Sequence, residues 1–219
     1  MSGPDRFFSQ EPPRLGNQYR EDRAFRSLMS RRFGERLRDV EPLFRDMGEL
    51  AGDELYRLQL EDRLNEPVLT RWDAWGNRID QIELSPLWRR SATIAAEFGL
   101  VAEGYENRWG PLSRSLQFGL VYLFHPSSDV YTCPLAMTDG AARTLQTAVA
   151  ALHQGRLDQA LHALQVGLQT APDNALLLNC QGVVFKAQGQ LEAARETFER
   201  ALKLAPQLVE PWINLGNLA

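Results

Sequence analysis

At 219 residues, with 44% hydrophobic and 24% charged side chains, the chain has the composition of a folded globular protein of one or two domains. Its net charge of −4 argues against a general nucleic-acid binder, which needs a basic stripe to displace counterions. Cys133 and Cys180 stand far apart with neither a CxxC partner nor a His at ligand spacing, so no metal site is predicted and a reducing, cytoplasmic setting is expected.

Residues 1–20 carry Pro4, Pro12, Pro13 and Gly16 among polar side chains and read as a flexible arm without an apolar leader segment. No apolar run approaches the roughly 18 residues that a membrane-spanning helix requires, so no membrane partner is expected. Helical periodicity starts near Glu21, with Phe25, Leu28, Met29 and Phe33 on one face and Gly34 as the stop. A second helix is predicted from Asp39, a candidate cap, to Ala51, with Pro42 in its first turn. A third follows Asp53 through Leu55, Leu58 and Leu64 and halts before Pro67.

The texture changes from Val68 to Leu84, where Trp72, Trp75, Ile79 and Ile82 surround a Gly76-Asn77 turn and predict a short hairpin. Packing of this insert against the helices is the expected reason for its tryptophans, together with Trp88. Ser85-Pro86 then opens a helix expected to reach Ala102, and Gly110-Pro111 opens another to Phe124. His125 is expected to close that helix by meeting terminal carbonyls. Cys133-Pro134 starts a helix containing Gly140, which costs about 1 kcal/mol relative to Ala and predicts a close helix crossing there. The Arg31-Arg32, Arg36 and Arg38 run is interleaved with Glu35, Asp39 and Glu41 and reads as a solvated, ion-paired surface.

From Ala141 onward the chain repeats itself every 34 residues: Gly155 returns as Gly189, Leu157 as Leu191, Ala160 as Ala194, and Ala171-Pro172 as Ala205-Pro206. A fixed period with small residues at helix contacts and a closing proline is the mark of a helix–turn–helix solenoid. Two and a half units result, over 141–174, 175–208 and 209–219.

Two resemblances attach to these residues. Asp73-x-x-Gly76-x-Arg78-Ile79-Asp80-x-Ile82-Glu83, then Pro86-x-Trp88, with Asn65-Glu66-Pro67 and the run Cys133 to Ala142, is similar to the N-terminal region of acyl-CoA dehydrogenases of the adaptive-response type. It covers about residues 13–145 and departs from that family at Ser85, where a His usually precedes the proline. The resemblance implies an α-helical domain spanning 21–145. In such enzymes the FAD contacts and catalytic carboxylate come mostly from later domains. Met137-Thr138-Asp139 echoes a flavin-contacting segment but sits in the setting of an earlier helix. The second half resembles tetratricopeptide repeats: Leu178, Gly182, Phe185, Ala194, Phe198, Ala201 and Pro206 occupy the signature places of unit two.

The fold class expected is therefore mainly all-α, with a hairpin insert and a C-terminal solenoid. In tetratricopeptide arrays the first helix of each hairpin lines a groove for a peptide or partner helix. The resemblance places Asn179, Val183, Lys186, Glu210, Ile213 and Asn217 on that face. No catalytic residue is predicted: no GxGxxG, Walker loop or GxSxG is written here, and Cys133 lacks a nearby basic partner and reads as structural. The function expected is non-catalytic protein binding, with no cofactor. Its rival is a part of an FAD-dependent oxidoreductase that needs domains supplied from elsewhere. Trp212, Ile213, Leu215 and Leu218 lack a following helix, which predicts either a longer natural chain or self-association through that end.

Overall fold

The fold was read from a computed structural model that describes residues 13–218. Two compact units divide between Leu135 and Ala136. Both are helical apart from one two-stranded antiparallel sheet.

The first unit begins with a short helix α1 (Gln18–Glu21), and α2 (Arg23–Phe33) follows directly. Residues 1–12 of the expected arm lie outside the described residues, but its later part is not loose. The Asn17 side chain caps α1 through the Tyr19 and Arg20 amides and donates to the Arg45 carbonyl at 2.9 Å. Tyr19 is buried, stacked on Phe44 with centroids 5.6 Å apart, and its hydroxyl donates to Glu41. Burial, assisted by the Glu41 charge, pushes the Tyr19 phenol up to about 12. Asp22 then caps α2 at the Phe25 amide, 2.7 Å away.

Helix α3 (Leu37–Gly52) starts two residues earlier than expected, because a single 3-10 turn over Gly34–Arg36 feeds straight into it. Asp39 is thus a first-turn acid rather than a cap, which suits the positive end of the helix dipole. Pro42 is accommodated inside the helix. The next helix, α4 (Glu54–Asp62), ends short of Leu64, which is 91% exposed and belongs to no stripe. Strands β1 (Val68–Trp72) and β2 (Arg78–Glu83) pair with Leu69 opposite Ile82 and Thr70 opposite Gln81, then shift register before Trp72 meets Arg78.

The hairpin exists as expected, yet its predicted packing does not: Trp72 is 57% and Trp75 86% exposed. Only Trp88 follows the expectation, meeting Tyr131 edge-on. Asp73 holds the turn rigid by accepting from the Trp75 and Asn77 amides and the Asn77 side chain. Those bonds, led by Asn77, keep its carboxyl below the usual range.

Helix α5 (Pro86–Glu97) has the expected Ser85 cap, which accepts from the Trp88 amide. It ends before Ala102 because Gly99 turns left-handed and the Leu100 amide reaches back to the Ala95 carbonyl. Helix α6 (Ser113–Phe124) ends in a 3-10 turn over His125–Ser127. There the His125 ring pairs its Nδ1 with Thr132 Oγ1 at 2.8 Å, rather than its ring meeting helix-end carbonyls. The core of this unit gathers Phe25, Phe33, Phe44, Ile94, Leu116, Leu120 and Phe124 from α2, α3, α5 and α6.

Helix α7 (Thr132–His153) runs unbroken across the division between units. The second unit continues with α8 (Leu157–Thr170), α9 (Ala175–Ala187), α10 (Leu191–Leu204) and α11 (Val209–Gly216). Its repeat is physical as well as textual. At each hairpin turn a glycine with positive φ, Gly155 at 68° or Gly189 at 76°, lets the next amide fold back on the preceding helix. The bonds match one period apart: Arg156 N–H to Ala151 O, and Gln190 N–H to Phe185 O. Ala171 and Ala205, each before a proline, leave the helical region and end α8 and α10. The expected close crossing at Gly140 is absent, since no atom lies within 4 Å of where its Cβ would stand.

Candidate functional site

The candidate site is the face formed by first helices of the repeated hairpins, α7, α9 and α11. It exists because each second helix absorbs the other side. Ala194, Phe198 and Ala201 of α10 are fully buried, as are Ala160 and Leu164 of α8. Helix α9 is set by Asn174, whose side chain caps the Leu176 and Leu177 amides at 3.1 Å each.

The residues expected on the groove divide into three groups. Glu210, Ile213 and Asn217 are exposed, Ile213 by 56%. Val183 and Lys186 are half-buried. Lys186 Nζ donates to the Asn217 carbonyl at 2.8 Å, bracing α11 against α9. Asn179 is buried and accepts from the Asn214 side chain at 3.0 Å. On the expected groove face Asn179 is thus buried, and its side-chain oxygen joins α9 to α11.

The structure also brings forward residues that the sequence reading passed over. Leu176 is 46% exposed and stands one period before Glu210, while Val149 of α7 is 38% exposed and stands one period before Val183. The same 34-residue step that located the others would have found both. The resulting face carries Val149, Leu176, Val183 and Ile213 and is mainly apolar, with Glu210 as its carboxylate. Trp212 and Val209 add further exposed apolar surface on α11, and the Trp212 indole donates to the Pro206 carbonyl. Such a surface can bury apolar side chains of a partner; it holds no paired acid and base.

Titratable groups elsewhere read as structural. Cys180 lies half-buried within the repeat core, and burial pushes its thiol up. Glu103 is buried beside Arg108, with one carboxylate oxygen lacking a partner, and desolvation pushes its carboxyl up. Among the described residues no cluster of three His, Cys, Asp or Glu could hold a metal ion, and no helix is long and apolar enough to cross a membrane.

The segment that echoes a flavin contact forms part of a helix interior. Met137-Thr138-Asp139 lies in the second turn of α7, where the backbone N–H groups already serve the helix. A pyrophosphate is usually met by free amides at a helix start. The cleft between α2 and α6 offers apolar side chains and two arginines instead.

A helical N-terminal domain with a hairpin, continued into tetratricopeptide hairpins, is the class that this geometry defines. The family model of the adaptive response protein AidB N-terminal domain matches residues 10–163, and a TPR repeat model matches 182–218. The chain belongs to the AidB N-terminal domain family and carries a TPR repeat. It is 36% identical over 143 residues to acyl-CoA dehydrogenase family member 11 of Caenorhabditis elegans, covering 63% of this chain and 23% of that protein. Among solved structures it resembles the apo form of Bd2924 at 38% identity and TM-score 0.58, over 64% of this chain and 28% of that one. It also resembles Caenorhabditis elegans ACDH-11 in complex with C11-CoA at 31% identity and TM-score 0.60, over 74% and 27%. The chain spans about a quarter of the length of these relatives. The AidB family match includes α7 and part of α8, which the 34-residue period also claims.

Proposed function

We propose that this chain is a protein-binding module whose working surface is the first-helix face of its tetratricopeptide hairpins, with no reaction of its own. The observation that carries the reading is the apolar face itself: Leu176 and Ile213 keep about half their surface in water although the cores beneath them are closed. Soluble domains rarely leave such a patch without a use. The partner is a peptide or helix presenting apolar side chains in series. Self-association through Val209, Trp212 and Ile213 of α11 belongs to the same proposal.

Selection of peptides from a displayed random library tests it. Selected peptides should share apolar residues at regular spacing and lose binding to Leu176→Asp and Ile213→Asp proteins that melt normally. Failure to select any such peptide, or equal binding by both variants, would sink the proposal. The second reading is a chain that serves an acyl-CoA dehydrogenase-type flavoprotein and acquires FAD only with domains from a partner. The dehydrogenase relatives favour it. Flavin absorbance that appears only when the chain is co-purified with such partner domains would support that reading.

A further inference from the structure

The first unit has an open face of its own, independent of the repeats. Helices α2 and α6 run antiparallel and are stapled at both ends. The Tyr122 hydroxyl donates to Asp22 at 2.8 Å, and Arg32 Nε donates to Ser115 Oγ at 2.8 Å. Between the staples lies a cleft of about 600 Å³. Its floor is Phe25, which stacks on Tyr122 with centroids 4.8 Å apart, together with buried Met29. Its walls end in Leu28, Phe118 and Tyr122, exposed by 50%, 60% and 54%. Large apolar side chains with so much surface in water, over a floor already closed, form a seat rather than a defect.

The charge around the cleft is as informative as its apolar lining. Arg32 lines the cleft and exposed Arg31 precedes it in α2, while Arg114, also in the lining, donates to Gln117 and lies over the Tyr105 ring. The stretch from Arg20 to Arg38 holds seven Arg against three acids, a net +4 within a chain of net −4. Among the described residues Arg32 and Arg31 donate to hydroxyls, Ser115 and Ser27, and pair with no carboxylate. Two antiparallel helices with an apolar stripe between them are the standing geometry for a third helix.

We infer that the α2–α6 cleft docks an amphipathic helix from a partner protein, its apolar stripe against Leu28, Phe118 and Tyr122 and an acidic cluster at one end against Arg31 and Arg32. This is helix-in-groove recognition with electrostatic orientation. The open mouth suits a helix, which brings its own backbone bonds satisfied, better than a small ligand, which needs most of its surface enclosed.

The test is a titration of the full chain with a labelled amphipathic peptide of about 20 residues, long enough to form a helix. It carries leucines at i, i+3, i+4 and i+7 and glutamates at one end; a matched control carries lysines there. The acidic peptide should bind, and Leu28→Ser and Phe118→Ser should each weaken it about tenfold or more with the melting temperature unchanged. Arg31→Glu/Arg32→Glu should invert the preference toward the lysine peptide. Absence of binding, equal binding of both peptides, or indifference to the two serine variants overturns the inference. Displacement of the peptide by monomeric dodecanoate at equal concentration would assign the cleft to an acyl anion and overturn it as well.

Discussion

Two glycines inside helices make the same substitution run in opposite directions. At Gly140 of α7 an added methyl would meet nothing within 4 Å, so Gly140→Ala keeps only the gain in helix propensity, about 0.5–1 kcal/mol. At Gly182 of α9 the Cβ would stand 2.5, 2.7 and 2.8 Å from three carbons of the Phe198 ring. Ordinary carbon contacts lie near 3.5–4.0 Å, so the ring must retreat by about 1 Å. Phe198 is fully buried between α9 and α10 and has little room to do so. Overpacking of that kind costs about 2–3 kcal/mol, the propensity gain returns about 1, and the net loss is about 1–2 kcal/mol.

Thermal unfolding of the purified chain, followed by circular dichroism, reads both effects. Gly140→Ala should raise the repeat transition by a few degrees, and Gly182→Ala should lower it by about 5–10 °C. Adding Phe198→Leu to Gly182→Ala should relieve the clash, so that the double variant costs less than the two single ones combined. If both glycine substitutions shift stability in the same direction, or the double variant is simply additive, the packing argument for the hairpin is wrong.

Asn174→Ala removes the cap of α9 and should cost about 1 kcal/mol in chemical denaturation. Asp22 has its carboxyl held low by the Phe25 amide and the Tyr122 hydroxyl. Its folded value lies below its unfolded one, so its stabilisation is present above the ordinary Asp value of about 3.9 and is lost as pH falls through the folded value. Asp22→Asn should therefore flatten the acid limb of the stability profile. Glu103 has the opposite sign, because desolvation raises its carboxyl. Stability should fall as pH rises through the window from the unfolded value of about 4.3 up to the folded one. Glu103→Gln should abolish that fall and stabilise the protein at neutral pH; a loss of stability there would show that the Arg108 contact outweighs burial.

The repeats were legible because their determinants are local and recur. Gly155 and Gly189 make the same turn, and Ala171 and Ala205 end helices before prolines, so one period in the sequence is one period in space. Helix starts marked by a cap, such as Ser85, were equally plain. What escaped depends on partners distant in sequence. Tyr19 is ordered by Phe44 and Glu41, which no reading of a proline-rich arm could supply. Asn179 looked available because its helical position faces outward in the repeat pattern, whereas Asn214, 35 residues on, takes its oxygen. The hairpin erred the other way: alternating apolar residues predicted the strands correctly but said nothing of whether Trp72 and Trp75 find cover.

Hydrogen exchange on the whole chain, with and without a selected partner peptide, tests the proposed role most directly. Backbone amides exchange through local opening, and a bound partner slows the openings of the surface that it covers. The first-helix face predicts slowed exchange in α9 and α11, centred on Leu176, Val183 and Ile213, and its disappearance in the Ile213→Asp protein. Protection that falls on α10 or the β1–β2 hairpin while α9 and α11 exchange unchanged would contradict the assignment of function to this face.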